Sequence, residues 1–317
     1  MHTFTHRNRW SILRTRDLLA LPRCAAVAAA AALGLGGIAG PLRGDLVGHW
    51  PMDEAGGSIV HDVVGPNDGT IVGNAAFVPG KIGNALSFAL ATNDHVTLGN
   101  VFEFAGNTDF SVAFWMKPAA TSTPEHLPVS KHTAGFNNGW IVFVNVSGGC
   151  YGAPNRTTFY TSNSCGGEII STTAVTDGEW HFVVATVDGG AVKSLYIDGG
   201  LAEATGAANP IAATASQLLF GGVSVGGGTA GAYTGLLDDV QIYDSTLSCA
   251  QVAAMYAAPG STAPLVYDLN HDGLVNGADL GILLGGWGPC SAVCPADFDC
   301  NGVVDGADLG ALLASWT

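Results

Sequence analysis

A stretch near the C-terminus occurs twice. Asp268-Leu269-Asn270-His271-Asp272-Gly273-Leu274-Val275-Asn276-Gly277-Ala278-Asp279-Leu280 returns 29 positions later as Asp297-Phe298-Asp299-Cys300-Asn301-Gly302-Val303-Val304-Asp305-Gly306-Ala307-Asp308-Leu309. Side-chain oxygens fall at loop positions 1, 3, 5, 9 and 12, with Gly at position 6. A loop so spaced wraps a hard cation in oxygens, and the Gly permits the sharp turn. The candidate ligands are Asp268, Asn270, Asp272, Asn276 and Asp279, then Asp297, Asp299, Asn301, Asp305 and Asp308. Position 7 adds a backbone carbonyl, from Leu274 or Val303. The implied cofactor is calcium. Val275 and Val304, at position 8, predict a short β-bridge between the two loops.

Asp, Asn and Gly also crowd ordinary turns, so one copy of the pattern would say little. The helix that follows is duplicated too. Leu280, Leu283, Leu284 and Trp287 recur as Leu309, Leu312, Leu313 and Trp316, an i, i+3, i+4, i+7 spacing that predicts one apolar helix face. No helix-like stretch precedes the first loop, because residues 258–264 (Ala-Pro-Gly-Ser-Thr-Ala-Pro) form a breaker-rich linker. Position 12 is Asp rather than Glu. On these features residues 265–317 resemble the type I dockerin module. The resemblance implies calcium loops and a cohesin-type domain on a scaffolding protein as partner. It also implies a role beside polysaccharide-degrading enzymes or sugar-binding modules. In that family positions 10 and 11 belong to the recognition face; here they are Gly277, Ala278, Gly306 and Ala307. The chain departs from many dockerins in having no Lys or Arg after Lys193.

The N-terminus reads as an export signal. Five arginines (Arg7, Arg9, Arg14, Arg16, Arg23) precede an apolar Ala/Gly run from Cys24 to Ala39, too short to span a bilayer and ending in small residues. Residues 1–39 are expected to be removed and the remainder secreted. That remainder keeps six basic against 25 acidic residues, a formal charge of −19. Phosphate contact needs clustered Lys and Arg, so nucleic acid and anionic membranes are excluded as partners. No later segment is apolar enough to cross a membrane. Six of the seven cysteines lie beyond the signal, an even number that suggests disulfides in an exported chain. Cys150 and Cys165 flank a Gly/Asn-rich excursion and are expected to pair. Cys249 is left to pair with Cys290, Cys294 or Cys300; zinc is the lesser alternative, since no His stands at ligand spacing.

Residues 45–257 alternate as short strands do, between Gly-rich turns. Phe110–Met116, Trp180–Val184 and Ser194–Asp198 are examples, with Asp188-Gly189-Gly190 and Asp198-Gly199-Gly200 as hairpin closers. The pattern predicts an antiparallel β-sandwich or jelly roll. Val47-Gly-His-Trp50-Pro-Met-Asp53-Glu54, Pro79-Gly-Lys-Ile-Gly-Asn-Ala-Leu-Ser-Phe88, Phe110–Pro118, Asp177–Val183 with Leu195–Gly199, and Gly235–Tyr243 follow one another in the order of the LamG-like, concanavalin A-type jelly roll. The block resembles that family. The fold class is thus mainly β, with a small helical calcium-binding module appended.

The resemblance implies a glycan-binding or adhesion module, and a fold alone does not choose between functions. Trp115 and Trp180 lie on strand patterns and are read as core, and His181 as a strand residue with its hydrogen bonds satisfied. Phe136, Trp140, Tyr151, Asn155, Arg156 and Tyr160 mix flat rings with polar groups in an irregular segment, the balance of a sugar site. Asp53, Glu54, Asp238 and Asp239 suggest a second calcium if the opening strand and the late Asp-Asp strand lie side by side. No paired catalytic carboxylates alternate on a strand, and no nucleophile or metalloprotease motif occurs. No catalytic residue is therefore assigned. The alternative is a divergent polysaccharide-degrading hydrolase or lyase on the same fold.

Overall fold

The computed structural model describes residues 46–120, 126–135, 138–145, 152–161, 168–189, 192–200, 203–207, 210–290 and 294–317. The export segment, Phe136, Tyr151, Cys150 and Cys165 lie outside them, as does the expected Cys150–Cys165 pairing.

The strand Phe110–Pro118 sets the architecture. Its period-two alternation sends Phe110, Val112, Phe114 and Met116 to one face and Ala113 and Trp115 to the other. It pairs antiparallel with His181–Val187, placing Val183 opposite Phe114, and with Gly235–Tyr243, placing Leu237 opposite Met116. Val192–Ile197 and Ala204–Ala207 extend this sheet on one side, Asn84–Phe88 and Ala76–Pro79 on the other; Leu46–Trp50 also pairs with Gly235–Tyr243. The second sheet runs Glu168–Ala174, Arg156–Thr161, Trp140–Val144, His126–Lys131, Leu219–Phe220, His95–Thr97, Gly69–Val72, Ile59–Val60. Every pair of these strands is antiparallel.

The two inner faces share one apolar core, including Trp50, Phe110, Phe114, Trp140, Phe159 and Phe220. Trp50 meets Phe220 edge-on at 5.1 Å and Phe104 stacks on Phe110 at 4.6 Å. Burying each such ring contributes about 1.5–3 kcal/mol.

The outer face of the first sheet is not left to water. Helix α1, Cys249–Ala257, starts at a capping box between Ser248 and Gln251. It lays Val252 and Met255 over Ala113, Trp115, Phe182, Val184, Tyr196 and Tyr243. Trp115 is core as the alternation predicts, but in this outer layer rather than between the sheets. Trp180 packs half-buried against the same layer. Tyr256 stacks on Trp115 with centroids 5.6 Å apart, and Lys81 Nζ stands 4.4 Å from the Trp115 ring. Gly199 lies beneath Tyr256 with φ +69°, and a Cβ there would collide with that side chain.

Helices α2, Gly277–Gly285, and α3, Gly306–Ala314, close a small second core of Val275, Leu283, Ala296, Val304 and Leu312. The expected bridge between Val275 and Val304 does not form. Val304 pairs with Gly288, beyond α2, and Val275 exchanges hydrogen bonds with Thr317, beyond α3. Gly288 and Thr317 are themselves repeat equivalents, so each loop is closed by a tail of the duplicated unit. Both valines are thereby buried side by side without bonding each other.

The described residues, from Leu46 to Thr317, belong to one compact unit. The linker is stitched to the sandwich: Gln241 Nε2 donates to Ser261 O (3.1 Å), Ala263 N to Tyr243 Oη (2.9 Å) and Gln251 Nε2 to Pro264 O (2.8 Å).

Candidate metal centre

Both loops turn as their sequences require. Gly273 and Gly302, at position 6, have φ of +88° and +86°, and His271 and Cys300, at position 4, have +60° and +58°. Such values suit Gly and are uncommon for other residues. Position 1 nucleates each turn. Asp268 accepts from Asp272 N (3.1 Å) and Gly273 N (2.8 Å), and Asp297 accepts from Asn301 N (3.1 Å) and Gly302 N (2.9 Å).

Position 12 closes the turn. Asp279 accepts from Leu269 N, Asn270 N and Asn276 N, while Asp308 accepts from Phe298 N and Asp305 N. Asp279 and Asp308 are also the third residues of α2 and α3. There they complete capping boxes with Asn276 and Asp305 at position 9. One residue thus holds the loop and the helix N-terminus together, where the helix dipole favours negative charge.

The donor set fits a hard cation. Asp268, Asp279, Asp297 and Asp308 are all buried, in a segment with no Lys or Arg. Buried carboxylates without counter-charge are costly, and a divalent ion surrounded by oxygens offsets them. In the second loop Asp297, Asp299 and Asp308 bring one oxygen each within 4.8 Å of the others. Burial raises the Asp297 pKa, and the Asp308 charge adds to the effect. In the more open first loop Asp272 is held low by Asn270 and the Leu274 N–H. Asn270 and Asn276 stand where the second loop has Asp299 and Asp305, and Asp272 where it has Asn301, leaving the first loop three carboxylates against four.

The predicted apolar helix face is only half right. Leu283 and Leu312 are buried and Leu280 and Leu309 half-buried, but Leu284 and Leu313 point outward, and Trp287 and Trp316 are 50% and 45% exposed. Two nine-residue helices enclose a core too narrow to take the whole stripe. Gly277, Ala278, Gly306 and Ala307 are exposed at the first turns of these helices. The repeated tryptophans were visible in sequence as part of the stripe, and only the packing exposes them.

The expected sugar platform is corrected. Trp140 is fully buried between the sheets, 5.4 Å from Phe110. Tyr160 is buried among Leu127, Ile141, Phe143 and Val223 on the opposite face of the second sheet. Asn155 is a left-handed turn residue (φ +63°), donating its N–H to Asn145 Oδ1 and accepting from Thr176 Oγ1. Arg156 stands half-buried at a strand start. These four do not form one open surface.

The four carboxylates suggested for a second calcium are engaged separately. Asp53 Oδ1 accepts from Asn84 N, Glu54 Oε1 from His61 N, and Asp238 Oδ2 from Lys81 N and Ile82 N. Asp239 lies 2.6 Å from His49 Nε2 and accepts from Gln241 Nε2. Among the described residues, the groups of three donors within 4.8 Å exclude all four. Asp53 and Asp238 instead fasten the Gly80–Asn84 turn. Asp238 Oδ1 is left buried without a partner, and burial pushes its pKa up to about 7, aided by the charges of Asp239 and Asp53. Glu54 Oε2, from the same candidate set, is likewise buried without a partner.

His181 is the satisfied strand residue expected, with Nδ1 2.9 Å from Asp198 Oδ2 and Nε2 3.0 Å from Asp177 Oδ1. Burial works against its charge, yet the two carboxylates raise its pKa. The cysteines resolve into Cys249–Cys300 and Cys290–Cys294 disulfides, which settles the partner of Cys249.

No curated protein matches the sequence. Among solved structures, domain 4 of AbnA, a GH43 extracellular arabinanase from Geobacillus stearothermophilus in complex with arabinotriose, is similar at 21% identity and a TM-score of 0.50; the likeness covers 67% of this chain and 98% of that domain. The binding domain of Paraclostridial Mosquitocidal Protein 1 is similar at 16% identity and a TM-score of 0.51, over 67% of this chain and 51% of that one. The binding domain of botulinum neurotoxin DC, in complex with rat synaptotagmin II, stands at 14% and 0.50, over 67% and 51%. The chain therefore spans about half the length of the toxin domains. At these identities the likeness is one of fold. Residues 90–253, just over half the chain, match the family described as the concanavalin A-like lectin/glucanases superfamily. With its two antiparallel sheets joined face to face, the chain belongs to that superfamily.

Proposed function

We propose that this is an exported, non-catalytic carbohydrate-binding or adhesion module, fastened by a calcium-dependent dockerin-like segment to a polysaccharide-processing assembly. The observation that carries the reading is the second loop, where Asp297, Asp299 and Asp308 converge in a segment devoid of basic residues. Bound calcium would supply positive charge and a cross-link. Asp268, Asn270, Asp272, Asn276 and Asp279 would hold one ion, and Asp297, Asp299, Asn301, Asp305 and Asp308 the other, with the Leu274 and Val303 carbonyls.

The partner surface follows from exposure. Leu284, Trp287, Leu313 and Trp316 are exposed, as are the small residues Gly277, Ala278, Gly306 and Ala307. Repeated apolar side chains exposed on so small a module mark an interaction site, and a cohesin-type domain is the occupant the resemblance implies. For the sandwich, the arabinanase domain that holds arabinotriose has the same fold and nearly the same extent. Arabino-oligosaccharides are therefore the first ligands to test.

The experiment uses residues 40–317 in calcium on an array of plant and algal glycans that includes arabino-oligosaccharides, with a reducing-sugar assay in parallel. Retention of an intact glycan is the expected result, and release of reducing ends would overturn the non-catalytic reading in favour of a hydrolase. Capture of cohesin domains should occur in calcium and fail in chelator. Capture of none would remove the tether from the proposal.

A further inference from the structure

The second calcium loop and the sandwich share a covalent joint that the first loop lacks. Cys249 opens helix α1 and is buried in the layer between that helix and the first sheet. Its disulfide partner Cys300 is position 4 of the second loop and packs against the same layer. Both sulfurs lie against the carbonyl of Asp297, the position-1 residue, at 3.9 and 3.8 Å. The equivalent of Cys300 in the first loop is His271, which is exposed.

The joint is not a lone staple. Ala263 and Cys300 pack on the outer core layer, and three side chains of the sandwich and α1 hold the linker: Gln241, Tyr243 and Gln251. Gln251 is also half of the α1 capping box, so the group that starts the helix also grips the linker. The second disulfide, Cys290–Cys294, lies just before the same loop: Cys290 N donates to Gly302 O (2.7 Å) and Asp297 N to Cys294 O (3.0 Å). Both disulfides of the described residues converge on the second loop.

We infer that divalent-cation binding in the second loop and the stability of the jelly roll are one coupled equilibrium, transmitted through Cys249–Cys300 and the stitched linker. The inference rests on the calcium reading above. A tether on a flexible linker would fold and unfold alone. Here the cation-binding loop cannot loosen without pulling on α1, and α1 covers Trp115, Phe182 and Tyr243. Linkage makes the effect reciprocal: what calcium does for the sandwich, the intact joint does for calcium affinity.

The test is differential scanning calorimetry of residues 40–317, oxidised, in calcium and in chelator, with isothermal calorimetry of calcium binding alongside. At free calcium a hundredfold above Kd, the main transition should rise by roughly 5–10 °C. Cys249→Ser with Cys300→Ser should split the scan in two, leaving the larger transition calcium-independent and calcium binding weaker. In the wild type, calcium that binds without moving the main transition overturns the coupling and leaves the metal reading standing. Absence of calcium binding overturns both. The wild-type scans decide without the variant, should the variant fail to fold.

Discussion

Asp238→Asn should make the jelly roll more stable above neutral pH, with a gain that shrinks as pH falls through the window from about 7 towards 3.8. Asp238 is fully buried; its Oδ2 holds the Lys81 and Ile82 N–H groups, and its Oδ1 has no partner. Burial holds its pKa up at about 7, against an ordinary value of 3.8. Between those values the native state keeps a proton that the unfolded chain has released, so stability falls as pH rises through the window and levels off above 7. From pH 5 to pH 8 about two units of that window are crossed, a loss of about 3 kcal/mol at 1.4 kcal/mol per unit. Asparagine retains an oxygen for both N–H groups and carries no charge. Urea unfolding followed by tryptophan fluorescence at both pH values, in saturating calcium so that the C-terminal loops contribute alike, should show the variant gaining about 3 kcal/mol on the wild type across that interval. A variant less stable than the wild type at pH 8 would refute the reasoning. It would mean that Asp238 is ionised in the native state and that a cation satisfies its second oxygen.

His181 titrates with the opposite origin and the same direction of effect. Its pKa is raised by Asp198 and Asp177, so the stability it contributes is full below about 6.5 and is lost as pH rises through the folded value. His181→Gln should therefore cost about 1 kcal/mol or more at pH 5.5 and less at pH 8.5, read by the same urea titrations. Gly199→Ala should cost about 2–3 kcal/mol by thermal unfolding, because it adds both a Cβ at positive φ and a collision with Tyr256. Asp308→Ala should lower calcium affinity in calorimetry more than Asp279→Ala, since the second loop gathers more carboxylates than the first; equal losses would count against ranking the loops by charge.

Periodicity made the sandwich legible because alternation of apolar residues is a local property of each strand. It left open which face each residue occupies. Trp115 and Phe114 are neighbours in sequence, yet one lies under α1 and the other between the sheets. Trp140 and Tyr160 looked like sugar platforms because they flank an irregular segment, but both stand on buried strands. Covering layers are tertiary, and a one-dimensional pattern does not record them. The two repeated turns were legible down to the glycine at position 6, because the loop template is closed within twelve residues. The exposure of Trp287 and Trp316 was not, since it depends on how narrow the shared core is. Cysteine parity limited Cys249 to three partners, and the fold chose the one that faces α1.

The exchange of tails between the repeats gives a further test. Val275 lies at position 8 of the first loop, next to Leu274, whose carbonyl is proposed as a calcium ligand, and its backbone is held from outside the repeat by Thr317. Thr317 N donates to Val275 O (3.0 Å) and Val275 N to Thr317 Oγ1 (2.9 Å). The second loop is held instead by Gly288 and Pro289. Truncation after Ser315 therefore removes the clasp of the first loop and leaves that of the second intact. It also removes Trp316, which is exposed, so the core of Leu283 and Leu312 keeps its packing. Thr317 Oγ1 also donates to Val275 O (3.2 Å), and three lost hydrogen bonds at about 1 kcal/mol each correspond to roughly a 150-fold weaker calcium affinity as an upper bound. In an Asp308→Ala background, where calorimetry reads the first loop, truncation should weaken binding towards that bound. In an Asp279→Ala background, where it reads the second, truncation should leave the affinity unchanged. A loss confined to the second loop would show that each repeat clasps its own loop, and the exchanged pairing would be wrong.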